Sequence, residues 1–197
     1  MNVAVGYNSM YLSNVDGYNT AVGANSLSSN TSGASNVAIG YRSLAANTTA
    51  ASNTGVGYES LEDTTTGNWN TAVGMRSLAT NTTGTQNVAV GYEAGRSITT
   101  GIENVTIGTF AGSSNGSTTN GITTGTANIA IGLGAMAGDG TAVTGSNNIA
   151  IGRYAGQKLS TCNYNIAIGQ SALDANTTGN DNVAVGYSAL GANTTAN

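Results

Sequence analysis

The chain has 197 residues, of which 29 are glycine and none is histidine or proline. Only 7% of its residues are charged, and its formal net charge is −4 at pH 7. Its few cations do not cluster, so there is no basic patch of the kind that binds nucleic acid. The lack of histidine excludes a histidine base, a histidine-containing triad and a histidine metal site. No apolar run is long enough to span a membrane. The composition therefore predicts no enzymatic activity, no cofactor and no metal.

A five-residue phrase of the type Asn-Val-Ala-Val-Gly recurs eleven times along the chain. The spacing between its leading asparagines is 17 residues six times, then 24, 20, 17 and 17. When this asparagine is counted as position 1, position 5 is always glycine and position 4 is always valine or isoleucine. A fixed period of this length is the signature of stacked structural repeats. The repeats begin at Asn2, Asn19, Asn36, Asn53, Asn70, Asn87, Asn104, Asn128, Asn148, Asn165 and Asn182.

Each phrase alternates β-branched with small residues, which is typical of a β-strand. Asn, Thr and Gly are poor helix formers, so a helix is disfavoured. The sequence therefore predicts an all-β chain, a parallel β-solenoid of eleven coils that forms one repeat domain over residues 1–197. Coils about 4.8 Å apart would make a rod about 50 Å long. Each coil is expected to have a strand at positions 1–5, a bend at the glycine, a second short strand near positions 6–10 and a turn at positions 12–15.

The small residues at positions 3 and 8 suit a narrow coil interior, whereas positions 2 and 4 point the other way. An exposed apolar stripe would be an interaction surface, and three chains that place their stripes on a common axis would bury it. We therefore predict a homotrimeric rod; the alternative is a monomeric coil that holds positions 4 and 9 inside. In the first repeat, Ala4 is at position 3 and Val5 is the stripe residue at position 4. The position-4 stripe consists of Val5, Val22, Ile39, Val56, Val73, Val90, Ile107, Ile131, Ile151, Ile168 and Val185.

Two ladders are expected along the rod. Position 7 carries Arg42, Glu59, Arg76 and Glu93 in consecutive coils, so stacking in register would place opposite charges next to one another on the surface. The asparagines at position 1 would form a second ladder, in which side-chain amides bond along the axis.

Two coils are longer than the others, with additional residues within 112–125 and 138–145. Both insertions fall at the same phase, so they should emerge side by side, and loops on a rigid scaffold are where binding variation is tolerated. The alternative is that they are harmless bulges. Together with one aromatic residue at position 17, the insertions supply the candidate surface-binding residues Asn115, Ser117, Thr118, Asn120, Asp139 and Trp69.

Near the insertions, the leucine of position 9 is replaced by glycine in three coils, at Gly95, Gly112 and Gly156. Phe110 and Tyr154 appear at position 7 in the same region, and we expect their rings to replace the lost bulk. Other tyrosines recur at position 6, where they could contact glycans or stack within the sheet. The repeated Asn-Thr-Thr segments match a glycosylation acceptor, although recurrence at a turn explains them without a sugar.

The N-x-A-[VI]-G phrase followed by a Ser/Ala-Leu pair resembles the head repeats of trimeric autotransporter adhesins. It is also similar to the N-T-A-V-G-Y-x-A-L-x-x-N-T-T-G repeats of phage tail-fibre proteins. The resemblance covers essentially the whole chain. It implies a left-handed parallel β-roll, a homotrimer and attachment to a surface, with cell-surface glycans or a receptor as partner. The expected location is extracellular, on a virion, an injection machine or a bacterial surface, and the chain is expected to be a segment of a longer fibre.

A second hypothesis is binding to ice or another crystal surface, because stacked threonines on a flat solenoid can match a lattice. Threonine occurs at positions 13 and 14 of several coils. Adjacent strand residues point to opposite faces, so each face would receive one threonine per coil. This ladder is expected to break in the inserted coils.

Overall fold

The computed structural model describes residues 1–13, 17–114 and 118–196. These residues form thirteen short β-strands and no helix. Eleven of the strands have three residues each and correspond to positions 2–4 of the eleven repeats. The strands are β1 (Val3–Val5), β2 (Thr20–Val22), β3 (Val37–Ile39), β4 (Thr54–Val56), β5 (Thr71–Val73), β6 (Val88–Val90), β7 (Val105–Ile107), β8 (Gly121–Ile122), β9 (Ile129–Ile131), β10 (Ala142–Val143), β11 (Ile149–Ile151), β12 (Ile166–Ile168) and β13 (Val183–Val185).

The eleven repeat strands form one parallel sheet, in which each strand pairs with the strand of the next repeat. Equivalent positions lie opposite one another, as in the pairing of Ala21 with Ala38. The register is kept across both longer coils, since Ile107 pairs with Ile131 and Ile131 pairs with Ile151. The predicted all-β parallel solenoid is therefore confirmed.

The prediction of a second strand near positions 6–10 is wrong. This segment forms a turn, because the residues at positions 7 and 9 adopt left-handed backbone conformations, for example Arg42 (φ 54°) and Leu44 (φ 53°). Such residues shorten the chain and prevent an extended strand. Hydrogen bonds still join the coils here, since Arg42 N donates to Ala24 O (3.1 Å) and Leu44 N donates to Ser60 O (3.0 Å).

The invariant glycine at position 5 is explained by backbone conformation and by close stacking. Gly152 has a φ of +135°, and a Cβ atom added there would lie 2.6 Å from the carbonyl oxygen of Gly169 in the next coil. Only glycine has access to this conformation without strain, and here it is also the only residue without the atom that would clash. The repeated glycine thus lets the chain bend at the same place in every coil.

Positions 3, 8 and 9 form the interior of the solenoid. In the coil that begins at Asn70, the side chains of Ala72, Ser77 and Leu78 are all fully buried. The small residues at positions 3 and 8 therefore lie where the sequence places them. The leucine of position 9 joins them inside and supplies most of the apolar volume, as the monomeric alternative required for that position.

Where position 9 is glycine, a different residue fills the space. The three glycine coils carry Ile98, Ile122 or Leu159 at the place of position 12, where the leucine coils have a polar residue such as Asn81. All three aliphatic side chains are fully buried, and a Cβ atom added at Gly156 would lie 2.6 Å from Leu159 Cδ1. The expectation that Phe110 and Tyr154 replace the lost leucine is therefore wrong, because the replacement comes from inside the same coil.

The asparagines of position 1 form the predicted ladder, and they are buried from Asn19 to Asn182. The amide of Asn70 illustrates the pattern: its Oδ1 accepts from Asn87 N (3.0 Å), and its Nδ2 donates to Gly84 O (2.9 Å) and to Asn53 Oδ1 (3.2 Å). Each amide thus connects its own coil with the next and satisfies backbone groups that the turn would leave unpaired. The ladder continues through the longest coil, where Asn128 N donates to Asn104 Oδ1 (3.0 Å).

Candidate functional site

The outer face of the eleven-stranded sheet carries a row of exposed apolar side chains. Position 4 points out of the coil: seven of its residues, from Val22 to Ile168, are between 36% and 39% exposed, and Val56 and Ile131 are half-buried. The alternative with position 4 inside the coil does not fit this burial. Position 2 lies on the same outer face, as expected for residues two apart in a strand.

Position 6 widens this face. Tyr41, Tyr58, Met75 and Tyr92 are each between 40% and 43% exposed, and the rings of Tyr41 and Tyr58 stack with their centroids 5.4 Å apart. Among residues at positions 2, 4 and 6, Arg153 is the sole charged one. We call these three rows the outer apolar face; at about 4.8 Å per coil and about 3.3 Å per residue it is about 50 Å long and at most about 13 Å wide. A continuous apolar patch of that size marks an interaction surface.

The two insertions lie next to each other, as predicted. Strand β8 of the first insertion pairs in parallel with β10 of the second, with Ala142 opposite Gly121. Further bonds fix the second insertion to its neighbours, since Gly121 N donates to Thr141 O (3.2 Å) and Gly138 N donates to Gln157 O (2.8 Å). The insertions are therefore held by backbone hydrogen bonds to each other and to the following coil.

An open cleft of about 430 Å³ lies where the insertions meet the coils. Its apolar part comes from Phe110, Leu133, Gly134 and Tyr154, of which three occupy position 7 in successive coils. Its polar part includes Asn120, Asp139 and Gln157. We call this feature the insertion cleft.

The aromatic residues of the insertion cleft are fixed by their neighbours. The Phe110 ring packs edge-on against Tyr92, with 5.3 Å between centroids. The guanidinium carbon of Arg153 lies 4.9 Å from the centroid of the Tyr154 ring, close enough for a cation–π contact. A Cβ atom added at Gly134 would lie 2.7 Å from two carbons of the Tyr154 ring. The glycine therefore makes room for Tyr154 to lie over the neighbouring coil.

The candidate residues from the sequence are divided among several places. Asn120 and Asp139 both line the insertion cleft. Thr118 is exposed and lies beside a different depression, which Arg76 and Glu62 also line. Trp69 is 62% exposed at position 17 and does not line the cleft.

Two further candidates, Asn115 and Ser117, lie outside the described residues. Sequence reasoning missed Tyr154 and Gln157 as cleft residues. The available signal was a glycine, Gly134, between two aromatic residues at position 7 of successive coils.

The charged ladder of position 7 is only partly formed. Arg76 Nε lies 2.8 Å from Glu59 Oε2 in the neighbouring coil, as predicted. Arg42 contacts Glu62 instead (2.7 Å), and Glu93 contacts Arg96 of its own coil (3.1 Å). The reason is that Glu62 and Arg96, both at position 10 of their coils, come close enough to compete for the same charges.

These charges are also more buried than a surface ladder would be, since Glu59 is 7% exposed and Glu93 is 2% exposed. Burial alone would raise the pKa of Glu59. Hydrogen bonds from Arg76 and Tyr58, together with the nearby positive charges, outweigh burial and bring this pKa below its ordinary value. The cluster therefore links neighbouring coils, and within it burial raises the pKa of Glu62.

Four asparagines of the Asn-Thr-Thr and Asn-Thr-Ser segments point into the coil. Asn30, Asn47, Asn81 and Asn176 are all fully buried. Their Nδ2 atoms donate to a carbonyl three residues later, as in Asn81 to Gly84 O (3.1 Å). The nitrogen that would carry a sugar is thus occupied within a turn, which supports the interpretation of these segments as turns.

Hydroxyl side chains line one exposed edge of the rod at position 14, and the break expected in the inserted coils does not occur there. The additional residues of both long coils precede position 14 in the chain, so position 14 is again in register with the neighbouring coils. Position 13 behaves differently: its threonines from Thr48 to Thr177 are half-buried, and Thr82 Oγ1, for example, donates to Thr99 O (3.1 Å). The exposed row consists of Ser32, Thr49, Thr66, Thr83, Thr100, Thr124, Thr144, Thr161, Thr178 and Thr195.

Within the described ranges, no three His, Cys, Asp or Glu side chains are close enough together to hold a metal ion. The same residues include no helix that could cross a membrane. Comparisons with protein-family models, with curated proteins and with solved structures found no match to this chain.

Proposed function

We propose that this chain is a rod-forming segment of an extracellular attachment fibre, of the phage tail-fibre or surface-adhesin type, and that it acts as a homotrimer without enzymatic activity. The observation that carries the proposal is the outer apolar face, whose position-4 row is valine or isoleucine in all eleven repeat strands. A solenoid that acted as a monomer would have no reason to keep valine or isoleucine at an outward position in every coil.

The area of this face is sufficient for a stable assembly. Burying about 600 Å² per chain corresponds to about 15 kcal/mol of gross transfer free energy at about 25 cal/mol per Å², from which the cost of association must be subtracted. Three copies around one axis satisfy every face at once and leave no open end for lateral growth. The trimer would be a stiff rod, since each coil bonds to the next through its backbone and its asparagine amide.

Two substitutions on this face test the proposal. Ile131→Asp and Ile129→Glu place a charge at positions that lie outside the coil, so the isolated chain should still fold. In a trimer they would bury three charges in one layer, which is strongly unfavourable. We expect light scattering to give three times the chain mass of 19.4 kDa for the unmodified protein and a single chain mass for both variants. A monomeric unmodified protein at micromolar concentration would contradict the proposal.

A second candidate function is adsorption to ice or to another crystalline surface. The specific observation in its favour is the row of ten exposed hydroxyl residues at position 14, which passes both insertions unbroken. Neighbouring members are about 4.8 Å apart, as required by the spacing of paired strands. Thermal hysteresis and inhibition of ice recrystallisation would support this function if Thr83→Lys and Thr100→Lys abolished both. Absence of both activities from the unmodified protein would exclude ice as the surface.

A further inference from the structure

The insertion cleft has the form of a small-molecule site, and its floor is aromatic. Because Gly134 has no side chain, the Tyr154 ring extends over the adjacent coil, and Phe110 and Leu133 lie beside it. The ring is restrained on one side by the Arg153 guanidinium. A restrained ring of this kind offers a flat apolar surface whose electron-rich face attracts C–H groups.

The rim of the insertion cleft provides hydrogen-bonding groups of both kinds. The Asp139 carboxylate accepts, and the side-chain amides of Asn120 and Gln157 can both donate and accept. The side chain of Asp139 is 59% exposed and forms a long ion pair of 3.8 Å with Lys158 Nζ. Among the described residues that line the cleft, Asp139 is the sole charged one, so the lining itself disfavours an anion, while Arg153 and Lys158 contact lining residues from outside.

We infer that the insertion cleft binds one neutral pyranose residue of a surface glycan. The C–H face of the sugar stacks on Tyr154, while its hydroxyls bond to Asp139 and to the amides of the rim. A hydroxyl group donates one hydrogen bond and accepts others, which matches a rim that combines a carboxylate with amides. The volume of about 430 Å³ lies within the range of small-molecule sites.

The location of the insertion cleft also suits recognition. Strands β8 and β10 bind the two insertions to each other, so this side of the cleft exists before any ligand arrives, and a preformed site loses less entropy on binding. The 17-residue coils other than that of Tyr154 carry no aromatic residue at position 7, where they have polar or charged residues such as Asn25, Arg42 and Ser171. The biological meaning of this site rests on the proposed attachment function, but the binding itself is a property of the chain.

Saturation-transfer NMR on the full chain tests the inference. The probes are the methyl glycosides of glucose, galactose, mannose and N-acetylglucosamine at millimolar concentration, with sialic acid as an anionic comparison. At least one neutral glycoside should show saturation transfer, strongest at the protons of one ring face. Tyr154→Asn and Asp139→Ala should each weaken its binding about tenfold or more.

The matched control is Trp69→Asn, which removes an exposed aromatic side chain that lies outside the cleft. Trp69 and Tyr154 both have a positive φ, and asparagine tolerates that conformation, so the two variants carry the same backbone cost. Circular dichroism and oligomeric mass are measured on every sample. Trp69→Asn should bind as the unmodified protein does.

Three results would overturn the inference: no signal from any neutral glycoside, binding of sialic acid alone, or equal loss in Trp69→Asn and Tyr154→Asn. The oligomeric mass separates this outcome from failure of the proposed function. A trimer that binds no sugar removes the inference and leaves the fibre proposal standing. A monomer that binds sugar removes the fibre proposal and leaves the inference standing.

Discussion

The six regular coils at the start of the chain and the two long coils that follow have the same strand segment but differ in the length of the segment between positions 9 and 13. Both keep the three-residue strand and the buried asparagine. Asn87 N donates to Asn70 Oδ1 at 3.0 Å across 17 residues, and Asn128 N donates to Asn104 Oδ1 at 3.0 Å across 24 residues. The comparison shows that the strand and the amide set the spacing of the coils, whereas the segment between positions 9 and 13 can change length freely.

The same comparison shows how the interior tolerates that freedom. A regular coil has a leucine at position 9 and a polar residue at position 12, as in Leu173 with Asn176. The coil that follows the insertions reverses the arrangement, with Gly156 and Leu159. These two coils each keep one aliphatic side chain, which enters the core from different directions, whereas the coil that begins at Asn128 buries both Met136 and Val143. The interior is thus kept filled, as close packing requires, while the surface segment between positions 9 and 13 changes in length.

Removal of one amide from the asparagine ladder should have the largest effect on stability, and the effect should be similar in both regions. Asn70→Leu and Asn128→Leu each leave buried backbone groups without partners, at a cost of about 1–3 kcal/mol per group. We expect each to lower the free energy of unfolding by about 3–5 kcal/mol, measured by urea denaturation.

The control for this pair is Gln86→Asn, an exposed change at position 17 that should alter stability by less than about 0.5 kcal/mol. If Asn128→Leu were tolerated while Asn70→Leu was not, the ladder would not be what keeps the register through the inserted coils.

Exchange of the core residues between the two arrangements should have an intermediate effect. Gly156→Leu alone crowds Leu159 and should cost about 1–3 kcal/mol, and Leu159→Asn alone leaves a void and should cost about 2–5 kcal/mol. Together they reproduce a regular coil, so the double variant should be more stable than the sum of the single effects by about 1–3 kcal/mol. Strict additivity in thermal and urea unfolding would show that the two side chains do not occupy the same space.

The parallel sheet of repeat strands could be predicted from the sequence, because the 17-residue period and the alternation of apolar and small residues both indicate it. Alternation within each phrase fixed the strand, and the small residues at positions 3 and 8 fixed its inner face. The turn at positions 6–10 could not be predicted in the same way. Arg42, Leu44 and their equivalents have left-handed backbones, a conformation that such residues rarely adopt alone and that the stacked coils impose on them.

The candidate site was predictable only in outline. Equal phase of the two insertions placed them side by side and nominated Asn120 and Asp139. The apolar floor was missed because Tyr154 and Phe110 were assigned to the core. Their role depends on Gly134 of the coil between them, a relation across coils that local patterns do not reveal. The exchange between Gly156 and Leu159 was missed for the same reason, since it appears only when two positions of a coil are compared together.

The smallest effect is expected for the charged cluster of the regular coils. Arg76→Ala removes the partner of the nearly buried Glu59 and should cost about 1 kcal/mol at neutral pH, with no change in oligomeric mass. The pKa of Glu59 is below its ordinary value of 4.5 in the folded chain. Its contribution to stability is therefore complete above that value and is lost as the pH falls through the folded pKa.

In Arg76→Ala, burial would dominate and raise the pKa of Glu59, so acid should relieve part of the cost. The stability gap between the variant and the unmodified protein should therefore begin to narrow as the pH falls through the raised pKa of Glu59 in the variant, and should stop narrowing below the lowered pKa in the unmodified protein. The double variant Arg76→Ala/Glu59→Gln is the control and should show no such narrowing. A gap that stays constant with pH would mean that the pair does not contribute through the charge of Glu59.

Disulfide trapping on the outer apolar face tests most directly whether this face is the centre of a trimer. Val73→Cys lies on that face, Thr83→Cys lies on the exposed hydroxyl row, and both are made in a Cys162→Ala background. Two copies of residue 73 near a threefold axis would be close enough to form a disulfide. We predict that mild oxidation links Val73→Cys into covalent dimers within a particle of three chains and leaves Thr83→Cys unlinked. A Val73→Cys protein that stays unlinked, or a Thr83→Cys protein that links in its place, would contradict the proposed assembly.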